Sequence, residues 1–350
     1  MLYLQTVLSV TAVIVGSVAI LNFGVDPAEL FRKTNFGQVY AAALLDSEYG
    51  LLDPDSLDDR DVKAAIALRA SNYDCVIVGS SHVMQIGSSR KHRTFPACKS
   101  IANLGVAGAG LEDHIVLSYL SLSNGKPRLL ILGVDPWTFA FDKDQRWEIR
   151  YSDSLTEALK AIGGDRAMIV DPPSRWSNLV NAQYTKRSIE QLLRGQVTRT
   201  IVAAQRVDQE AGGVSTIMLP DGSRVYSSEF IARSREQSIP VGGDPYKTKG
   251  TLNQPKAIAL YKRLLIWLQN NGVKPILLMT PYHPNVWKLD SSPNVVAMVP
   301  TEKIVIEIGS ELGIPVVGSY RPDGVNCEPE EFFDFMHPTD KCVAKLKFPY

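Results

Sequence analysis

The sequence lacks a net charge, a metal-binding pattern and any cysteine pair of the C-x-x-C type. Among its 350 residues, 37 basic side chains balance 37 acidic ones, so no overall field favours nucleic acid or an anionic surface. No group of His, Cys and Asp residues has the spacing of metal ligands, and we therefore expect neither a metal nor another cofactor. The chain is long enough to bury a large hydrophobic core, so its length is compatible with an enzyme.

The few cysteines leave the redox environment open. Cys75 lies in an apolar run and is interpreted as a buried thiol. Cys327 and Cys342 are close enough in sequence to pair across the C-terminal segment if the compartment is oxidising.

No charged residue occurs before Asp26. The apolar stretch 2–23 has about the twenty residues that a helix needs to cross the hydrocarbon core of a bilayer. A cleaved signal peptide usually has a basic start and a shorter apolar stretch. We therefore expect an uncleaved membrane anchor over residues 1–23 rather than a signal peptide or a buried helix. Arg32 and Lys33 follow it, so the positive-inside rule alone favours a cytoplasmic location for the rest of the chain.

Alternating strand and helix patterns follow the anchor. After a connector with an outer helix (24–70), four short apolar runs predict buried parallel strands at 73–78, 128–135, 274–281 and 314–320. Helical patterns lie between them at 109–122, 254–270 and 301–312. This order predicts an α/β domain over 71–350, with a mostly parallel sheet covered on both faces.

A long polar insertion, 143–253, separates the second and third predicted strands. Asp171-Pro172-Pro173, Gly212-Gly213 and Gly242-Gly243 interrupt it, and the stretch at 220–226, PDGSRVY, predicts a turn into a short strand. Ligands of open α/β sheets bind beyond the carboxyl ends of the strands, so we expect the insertion to fold over that rim.

Two distant segments carry the residues that predict chemistry. Gly79-Ser80-Ser81-His82 follows the first predicted strand, where a turn lifts a hydroxyl to the carboxyl edge of the sheet. Near the other end of the chain, Asp334 and His337 stand three residues apart among apolar side chains. On a tight turn, Asp334 would accept from Nδ1 of His337, while Nε2 would face a hydroxyl. Both segments also have ordinary interpretations, as a serine-rich turn and as a helix cap.

Together these segments resemble the first and last sequence blocks of the SGNH (GDSL-type) hydrolases. The resemblance implies a catalytic triad of Ser81, His337 and Asp334 in a three-layer, flavodoxin-like fold. The segment 101–108, IANLGVAG, is similar to the second block of that family. The backbone N–H groups of Ser81 and Gly108 would then bind the oxyanion, because a glycine allows the backbone close to the reacting carbonyl.

The third family block departs from the pattern. Where the family has an asparagine that donates to the oxyanion, the strand end Leu132-Gly133-Val134-Asp135-Pro136 has Asp135. An ionised aspartate accepts hydrogen bonds and cannot donate one. The residues considered as replacement donors are Asn103, His82, Arg90 and His283. The residues considered as possible substrate contacts are Ser80, His82, Asn103, Asp135 and His283.

Residues 1–142 and 254–345 also resemble, in layout, the membrane-anchored SGNH-like proteins that O-acylate cell-surface polymers, such as those of alginate O-acetylation and teichoic-acid D-alanylation. The resemblance implies a domain outside the cytoplasm, periplasmic or at the cell surface, and a multipass membrane acyltransferase as partner. Because of this resemblance, we expect the domain outside the cytoplasm, although the positive-inside rule alone favours the cytoplasm. We expect an esterase or O-acyltransferase that acts on acyl groups, foremost acetyl, of a cell-envelope or extracellular glycan.

Two other functions remain open at this point. One is a non-catalytic anchored domain that binds a glycan or acts as a scaffold for a membrane acyltransferase, and the other is a cytoplasm-facing esterase. Of the remaining histidines, His92 and His114 are expected to be solvated. Three tryptophans are expected to fill the core more readily than to stack on sugar rings: Trp137, Trp147 and Trp176.

Overall fold

The computed structural model is a mixed α/β structure with an apolar helix at its N-terminus. The residues that it describes are 2–32, 34–53, 59–69, 73–88, 98–140, 147, 151–165, 175–193, 200–205, 215–237, 252–288 and 293–349. The helices are α1 Leu2–Val25, α2 Phe36–Leu45, α3 Asp59–Ala67, α4 Leu111–Ser123, α5 Ser152–Ala161, α6 Ala182–Leu193, α7 Ser228–Gln237, α8 Pro255–Asn270, α9 Pro293–Leu312 and α10 Asp340–Val343. The strands are β1 Leu51–Leu52, β2 Cys75–Val78, β3 Ile101–Asn103, β4 Leu129–Gly133, β5 Ile217–Met218, β6 Arg224–Val225, β7 Lys274–Met279 and β8 Val316–Gly318.

Helix α1 is long and apolar enough to cross a membrane. It contains no charged side chain, and most of its side chains are exposed up to residue 20. Only near its C-terminal end does it pack on the rest of the protein, where Asn22 and the following Asp26 are buried. The length and composition expected of the anchor are therefore present in the structure.

A five-stranded parallel sheet forms the centre of the structure. Its strand order is β3-β2-β4-β7-β8, and every neighbouring pair is parallel. The predicted parallel α/β sheet is confirmed, and four of its strands fall within the predicted runs. Strand β3 was not predicted, because three residues, one of them polar, make too short a pattern to distinguish from a loop.

Alternate side chains of the strands enter two separate cores. In β2, Val76 and Val78 pack into the larger core, which helices α2, α3, α4, α8 and α9 cover. Cys75 and Ile77 point to the opposite face, into a smaller core closed by Val83, Ile86 and Cys98 and by the C-terminal segment 325–348. Both faces of the sheet are therefore buried, as the continuous apolar strands predict.

Both disulfide bonds of the described residues lie in the smaller core. Cys75 is bonded to Cys98, and Cys327 is bonded to Cys342. The interpretation of Cys75 as a buried thiol was wrong, because the chain returns beside β2 and brings Cys98 against it. The expected pair of Cys327 and Cys342 is present. These bonds compensate for a core that few helices cover.

Two further expectations need correction. His114 is completely buried in α4, not solvated, and its ring lies edge-on to Tyr261 of α8 at 5.7 Å between centroids. Helix α9 begins at Pro293, eight residues before the predicted start at 301, and it continues through Pro300. Of the tryptophans, Trp147 is fully buried, Trp137 is partly buried and Trp176 is exposed.

The insertion contributes a small antiparallel sheet, in which β1 of the connector pairs with β5 and β5 pairs with β6. The turn predicted at 220–226 joins β5 to β6, and Gly222 adopts φ +82° there, a conformation that favours glycine. The three interruptions at 171–173, 212–213 and 242–243 lie outside the described residues.

Hydrogen bonds and ion pairs fix this small sheet to the carboxyl edge of the large one. The backbone N–H of Arg224 donates to Met84 O at 2.7 Å, and that of Asn103 donates to Asp221 O at 2.7 Å. The Arg224 guanidinium lies 2.8 Å from Asp53 and 2.7 Å from Asp59, both in the connector. The insertion therefore packs beside the turn that carries Ser81.

Candidate active site

The serine turn follows β2 at the carboxyl edge of the sheet. A Cβ on Gly79 would lie 3.1 Å from the Cα and O atoms of Gly133, so two glycines allow the ends of β2 and β4 to pass close together. A short 3-10 turn, Ser81–Val83, begins directly after. Ser80 caps it by accepting from His82 N at 3.2 Å, which leaves the half-buried Ser81 hydroxyl at the start of the turn.

Asn103 at the end of β3 stabilises the serine turn from the side. Its Nδ2 donates to Val83 O and to Ile86 O, each at 2.7 Å, and its Oδ1 accepts from Gly105 N at 2.8 Å. Both polar atoms of its side chain are thus engaged with backbone, and the side chain is completely buried. Asn103 therefore positions the turn and offers nothing to a substrate in this conformation.

The second segment of the site is the loop that carries Asp334 and His337. Asp334 Oδ1 accepts from the backbone N–H groups of Met336 and His337, each at 2.7 Å, which curls the loop. Gln85, four residues after Ser81, donates to Pro338 O at 2.6 Å. The loop is thereby bonded directly to the segment that bears the serine.

Ser81, His337 and Asp334 form a continuous hydrogen-bonded chain. Ser81 Oγ lies 2.7 Å from His337 Nε2, and His337 Nδ1 lies 2.6 Å from Asp334 Oδ2. Because a carboxylate can only accept, Nδ1 must carry the proton between His337 and Asp334. Nε2 of a neutral ring is then the acceptor for the Ser81 hydroxyl. This is the protonation state that a general base needs.

The surroundings keep Asp334 ionised. Burial by itself would raise the pKa of this carboxyl, but the attraction of His337 and the hydrogen bonds from His337 and two backbone N–H groups outweigh it, so the pKa lies below its usual value. The ring of Phe333 stacks on His337 with an interplanar angle of 7° and 5.2 Å between centroids. The imidazole is thus fixed by a carboxylate on its edge and an aromatic ring on its face.

A second histidine–aspartate pair lies beside the chain. His82 Nδ1 is 2.9 Å from Asp135 Oδ1, and both side chains are almost completely buried. The His82 ring meets that of His337 edge to face at 4.9 Å between centroids. Within the described residues, His82 Nε2 and Asp135 Oδ2 have no hydrogen-bond partner. Asp135 therefore acts as an acceptor for His82.

The other residues considered from sequence have structural partners. Ser80 caps the serine turn, and His283 Nδ1 accepts from Asn285 N at 3.1 Å. The backbone N–H of His283 donates to Phe335 O at 3.1 Å, which places His283 against the outer side of the loop. Burial foremost, and then Lys288, lower the pKa of His283 and favour its neutral form. Arg90 and His92 lie outside the described residues.

Two backbone N–H groups are available near the serine. Gly108 is exposed and adopts φ +59°, and a Cβ at this position would meet no atom within 4 Å. Neither Gly108 N nor Ser81 N donates a hydrogen bond to another of the described residues. Among the described residues, the two predicted oxyanion donors, Ser81 N–H and Gly108 N–H, therefore remain available to a ligand.

The insertion supplies aromatic residues that the sequence reading missed. Tyr226 and Phe230 pack on Phe333 with ring centroids 5.0 and 6.2 Å away. Arg235 of α7 donates to Phe332 O at 3.3 Å. The insertion thus supports the ring that stacks on His337. The YSSEF stretch at 226–230 has no pattern that distinguishes this role, because only the tertiary structure brings it to the loop.

One group of possible metal ligands occurs among the described residues, formed by Asp74, Cys75 and Cys98. Its two sulfur atoms are joined in a disulfide bond and cannot bind a metal as thiolates.

No protein-family model matches the chain, and no curated protein matches it. The chemistry of the site is therefore inferred from its side chains. A hydroxyl bonded to a neutral imidazole, which is oriented by an ionised carboxylate, constitutes an activated nucleophile.

Proposed function

We propose that this protein is a membrane-anchored serine esterase or O-acyltransferase of the SGNH type. The observation that carries the proposal is the hydrogen-bonded chain from Ser81 through His337 to Asp334. A nucleophile, a base and an orienting carboxylate in this order form the arrangement that activates a serine. Ser81 and His337 are 256 residues apart in sequence, and His337 and Asp334 are 3 residues apart.

In the proposed reaction, Ser81 Oγ attacks the carbonyl carbon of an acyl ester and transfers its proton to His337 Nε2. The backbone N–H groups of Ser81 and Gly108 stabilise the oxyanion of the tetrahedral intermediate. When this intermediate collapses, His337 returns the proton to the departing alcohol oxygen, and the acyl group remains on Ser81. A water molecule or a second hydroxyl then attacks the acyl-enzyme and loses its proton to His337. When the second tetrahedral intermediate collapses, His337 returns this proton to Ser81 Oγ, and the acyl product leaves.

The topology supports the family assignment. Counted in chain order, the five parallel strands have the spatial order 2-1-3-4-5, which is that of flavodoxin-like sheets. The proposed nucleophile follows the first of these strands, and the glycine-rich segment 104–110 follows the second. Ser81 and Gly108 thus both lie beyond carboxyl ends of the sheet, where such folds bind ligands.

The disulfides and α1 support a location outside the cytoplasm. Disulfide bonds persist mainly in oxidising compartments, and two occur here in a single small core. Combined with an apolar N-terminal helix, they favour a single-pass protein whose globular part is periplasmic or at the cell surface. The proposed substrates are acyl esters, foremost acetyl, of a cell-envelope or extracellular glycan, and the proposed partner is a multipass acyltransferase in the same membrane.

A specific observation favours a second function, a non-catalytic scaffold or glycan-binding domain. Asp135 is an acceptor bonded to His82, where a side-chain donor to the oxyanion is expected. The loss of one such donor costs about a hundredfold or more in rate. A scaffold or glycan-binding domain would not need a reactive Ser81. The reactivity of Ser81 therefore distinguishes the two functions.

Labelling by a fluorophosphonate tests the proposal, because this probe reacts with activated serines. The full chain is purified in detergent, and the wild type is compared with Ser81→Ala, His337→Ala and the control Ser123→Ala at the exposed end of α4. We expect labelling of the wild type and the control and none of Ser81→Ala or His337→Ala. A folded wild type that is not labelled would contradict the esterase and favour the scaffold.

A reporter fused after residue 350 tests the location. A phosphatase that is active only outside the bacterial cytoplasm is expected to be active in this fusion. An inactive phosphatase, together with a fluorescent cytoplasmic reporter at the same position, would favour the cytoplasm-facing esterase.

A further inference from the structure

A polar residue near the end of α1 fixes one segment of the insertion to this helix. Asn22 Nδ2 donates to Leu179 O and to Thr185 Oγ1, each at 2.9 Å. Asn22 Oδ1 accepts from Ser188 Oγ at 2.9 Å. The segment 175–193, which comprises a 3-10 turn and α6, therefore runs alongside the last turns of α1.

Asp26 fixes the same segment at the point where the chain leaves α1. Its carboxylate accepts from the backbone N–H groups of Leu30 and Phe31 at 2.8 and 3.0 Å, which turns the chain away from the helix axis. It also accepts from the hydroxyl of Tyr184 in α6 at 2.7 Å. Tyr184 thus lies level with the end of α1.

The length of α1 locates this level relative to a bilayer. At 1.5 Å per residue, Leu2–Val25 extends over about 36 Å, slightly more than the hydrocarbon core of about 30 Å. If α1 crosses the membrane, its last turn, with Asn22, lies at the boundary between acyl chains and headgroups. The segment 175–193 is bonded to that turn and shares its depth.

Helix α6 has three distinct faces. Tyr184 and Ser188 are buried against α1. The next stripe around the helix, at 100° per residue, is apolar and exposed, with Ile189, Leu192 and Leu193. The polar and charged residues Gln183, Lys186, Arg187 and Glu190 occupy the remaining arc, in which Lys186 borders Leu193 and Glu190 lies about 160° from Leu192.

The preceding 3-10 turn carries two further exposed apolar side chains, Trp176 and Val180, each 55% exposed. We call the set Trp176, Val180, Ile189, Leu192 and Leu193 the apolar platform. Large side chains grouped in this way on a protein surface mark a site of association. A tryptophan beside a basic residue is typical of segments at a membrane surface, and here the Arg175 guanidinium lies over the Trp176 ring at 5.0 Å from its centroid.

We propose that the apolar platform inserts into the lipid at the boundary of headgroups and acyl chains, as a second membrane contact beside α1. Lipid is favoured as the occupant because the segment that bears the platform is hydrogen-bonded to the last turn of α1, which places its exposed apolar side chains at the level of the membrane boundary. A single spanning helix alone leaves the globular part free to tilt. The second contact fixes the orientation of the domain on the membrane. The proposal rests on α1 spanning a bilayer and not on the chemistry at Ser81.

Spin labels on α6 test the proposal in the full chain, reconstituted alone in phospholipid nanodiscs. Labels are attached at Leu192→Cys in the platform and at Glu190→Cys on the charged face as the matched control; both positions are exposed, and the native cysteines are in disulfides. Collision rates with oxygen, which dissolves in lipid, and with a water-soluble nickel chelate are measured for each label.

We expect the ratio of oxygen to nickel collisions to be several-fold higher at 192 than at 190. Equal ratios would overturn the proposal, since the platform would then lie in water and be available to a protein partner instead. Fluorophosphonate labelling of both variants is measured in parallel. Because neither substitution is near Ser81, this readout reports on the proposed function independently of membrane contact.

Discussion

At the scale of the residue, the site depends on where single protons lie. The Asp334 carboxylate accepts two backbone N–H bonds through Oδ1, so its Oδ2 is directed at His337 Nδ1. This arrangement fixes the tautomer of His337 and makes Nε2 an acceptor for Ser81. The same reasoning applies to His82, whose Nδ1 proton is held by Asp135.

Replacement of Asp334 by asparagine is predicted to reduce the rate of serine labelling about 10³- to 10⁴-fold, because an amide N–H would stabilise the opposite tautomer of His337. The control is Asp323→Asn, an exposed aspartate that caps its own loop. Rates are measured with the fluorophosphonate probe on folded protein. A rate within tenfold of the wild type would show that the tautomer of His337 is not set by Asp334.

The loss of stability on replacement of Asp135 is predicted to depend on whether a hydrogen-bond acceptor for His82 remains. Asp135→Ala leaves the buried N–H of His82 without a carboxylate and is expected to cost about 1–3 kcal/mol of the free energy of unfolding. Asp135→Asn retains an amide oxygen in the same place and is expected to cost less. Denaturant unfolding of the two variants in detergent measures the difference. Equal losses would show that the bond from His82 contributes nothing specific.

At the scale of the element, both halves of the site lie inside loops closed by disulfides. Ser81 lies between Cys75 and Cys98, and Asp334 and His337 lie between Cys327 and Cys342. All four sulfur atoms belong to the smaller core, which α10 and irregular segments cover. The disulfides thus constrain the segments whose meeting creates the triad.

Removal of the second disulfide by the double substitution Cys327→Ser and Cys342→Ser is predicted to lower the free energy of unfolding by about 3 kcal/mol, given its sequence separation of 15. Thermal unfolding in detergent, with and without reductant, measures this loss. Reductant is expected to lower the Tm of the wild type towards that of the variant. An unchanged Tm in the variant would mean that the loop is constrained by its packing alone.

Helix α4 contains a group that makes stability depend on pH. Burial foremost lowers the pKa of His114 from 6.5 to about 4, despite the attraction of Asp135 and Asp113. Between these two pH values the unfolded chain binds a proton that the folded protein does not, so stability falls as the pH falls through this window.

The wild type is therefore predicted to lose about 3 kcal/mol of stability between pH 7 and pH 4 relative to His114→Leu, which cannot bind the proton. Ser118→Ala, a buried change on the same helix, serves as the control and is expected to shift stability equally at both pH values. Free energies of unfolding are measured at a series of pH values. Parallel curves for the wild type and His114→Leu would contradict the assignment.

The elements also differ in how well their sequences predict them. Strands β2, β4 and β7 were predictable because each is an apolar run buried on both faces. Strand β3 was not, since Asn103 is buried only because backbone groups of the serine turn bond to it. The burial of His114 and the pairing of Cys75 with Cys98 are likewise consequences of tertiary packing, which local patterns do not contain.

At the scale of the whole molecule, the sequence indicated which residues meet but not what surrounds them. Ser81 was predictable at the carboxyl edge because it follows a parallel strand. Its pairing with His337, which lies 19 residues after β8, was predicted from the resemblance of both segments to a hydrolase family. The bond between His82 and Asp135 and the packing of Tyr226 on Phe333 depend on side chains from separate segments. The apolar platform also depends on the fold, because Asn22 selects which segment of the insertion lies beside α1.

Peptide mapping by mass spectrometry tests whether Ser81 is an activated nucleophile. The full chain is treated with a fluorophosphonate, digested and searched for the modified residue. We predict a single stoichiometric adduct on Ser81 that is absent when His337 is replaced by alanine. An adduct on any other residue, or an unmodified Ser81 in folded protein, would contradict it.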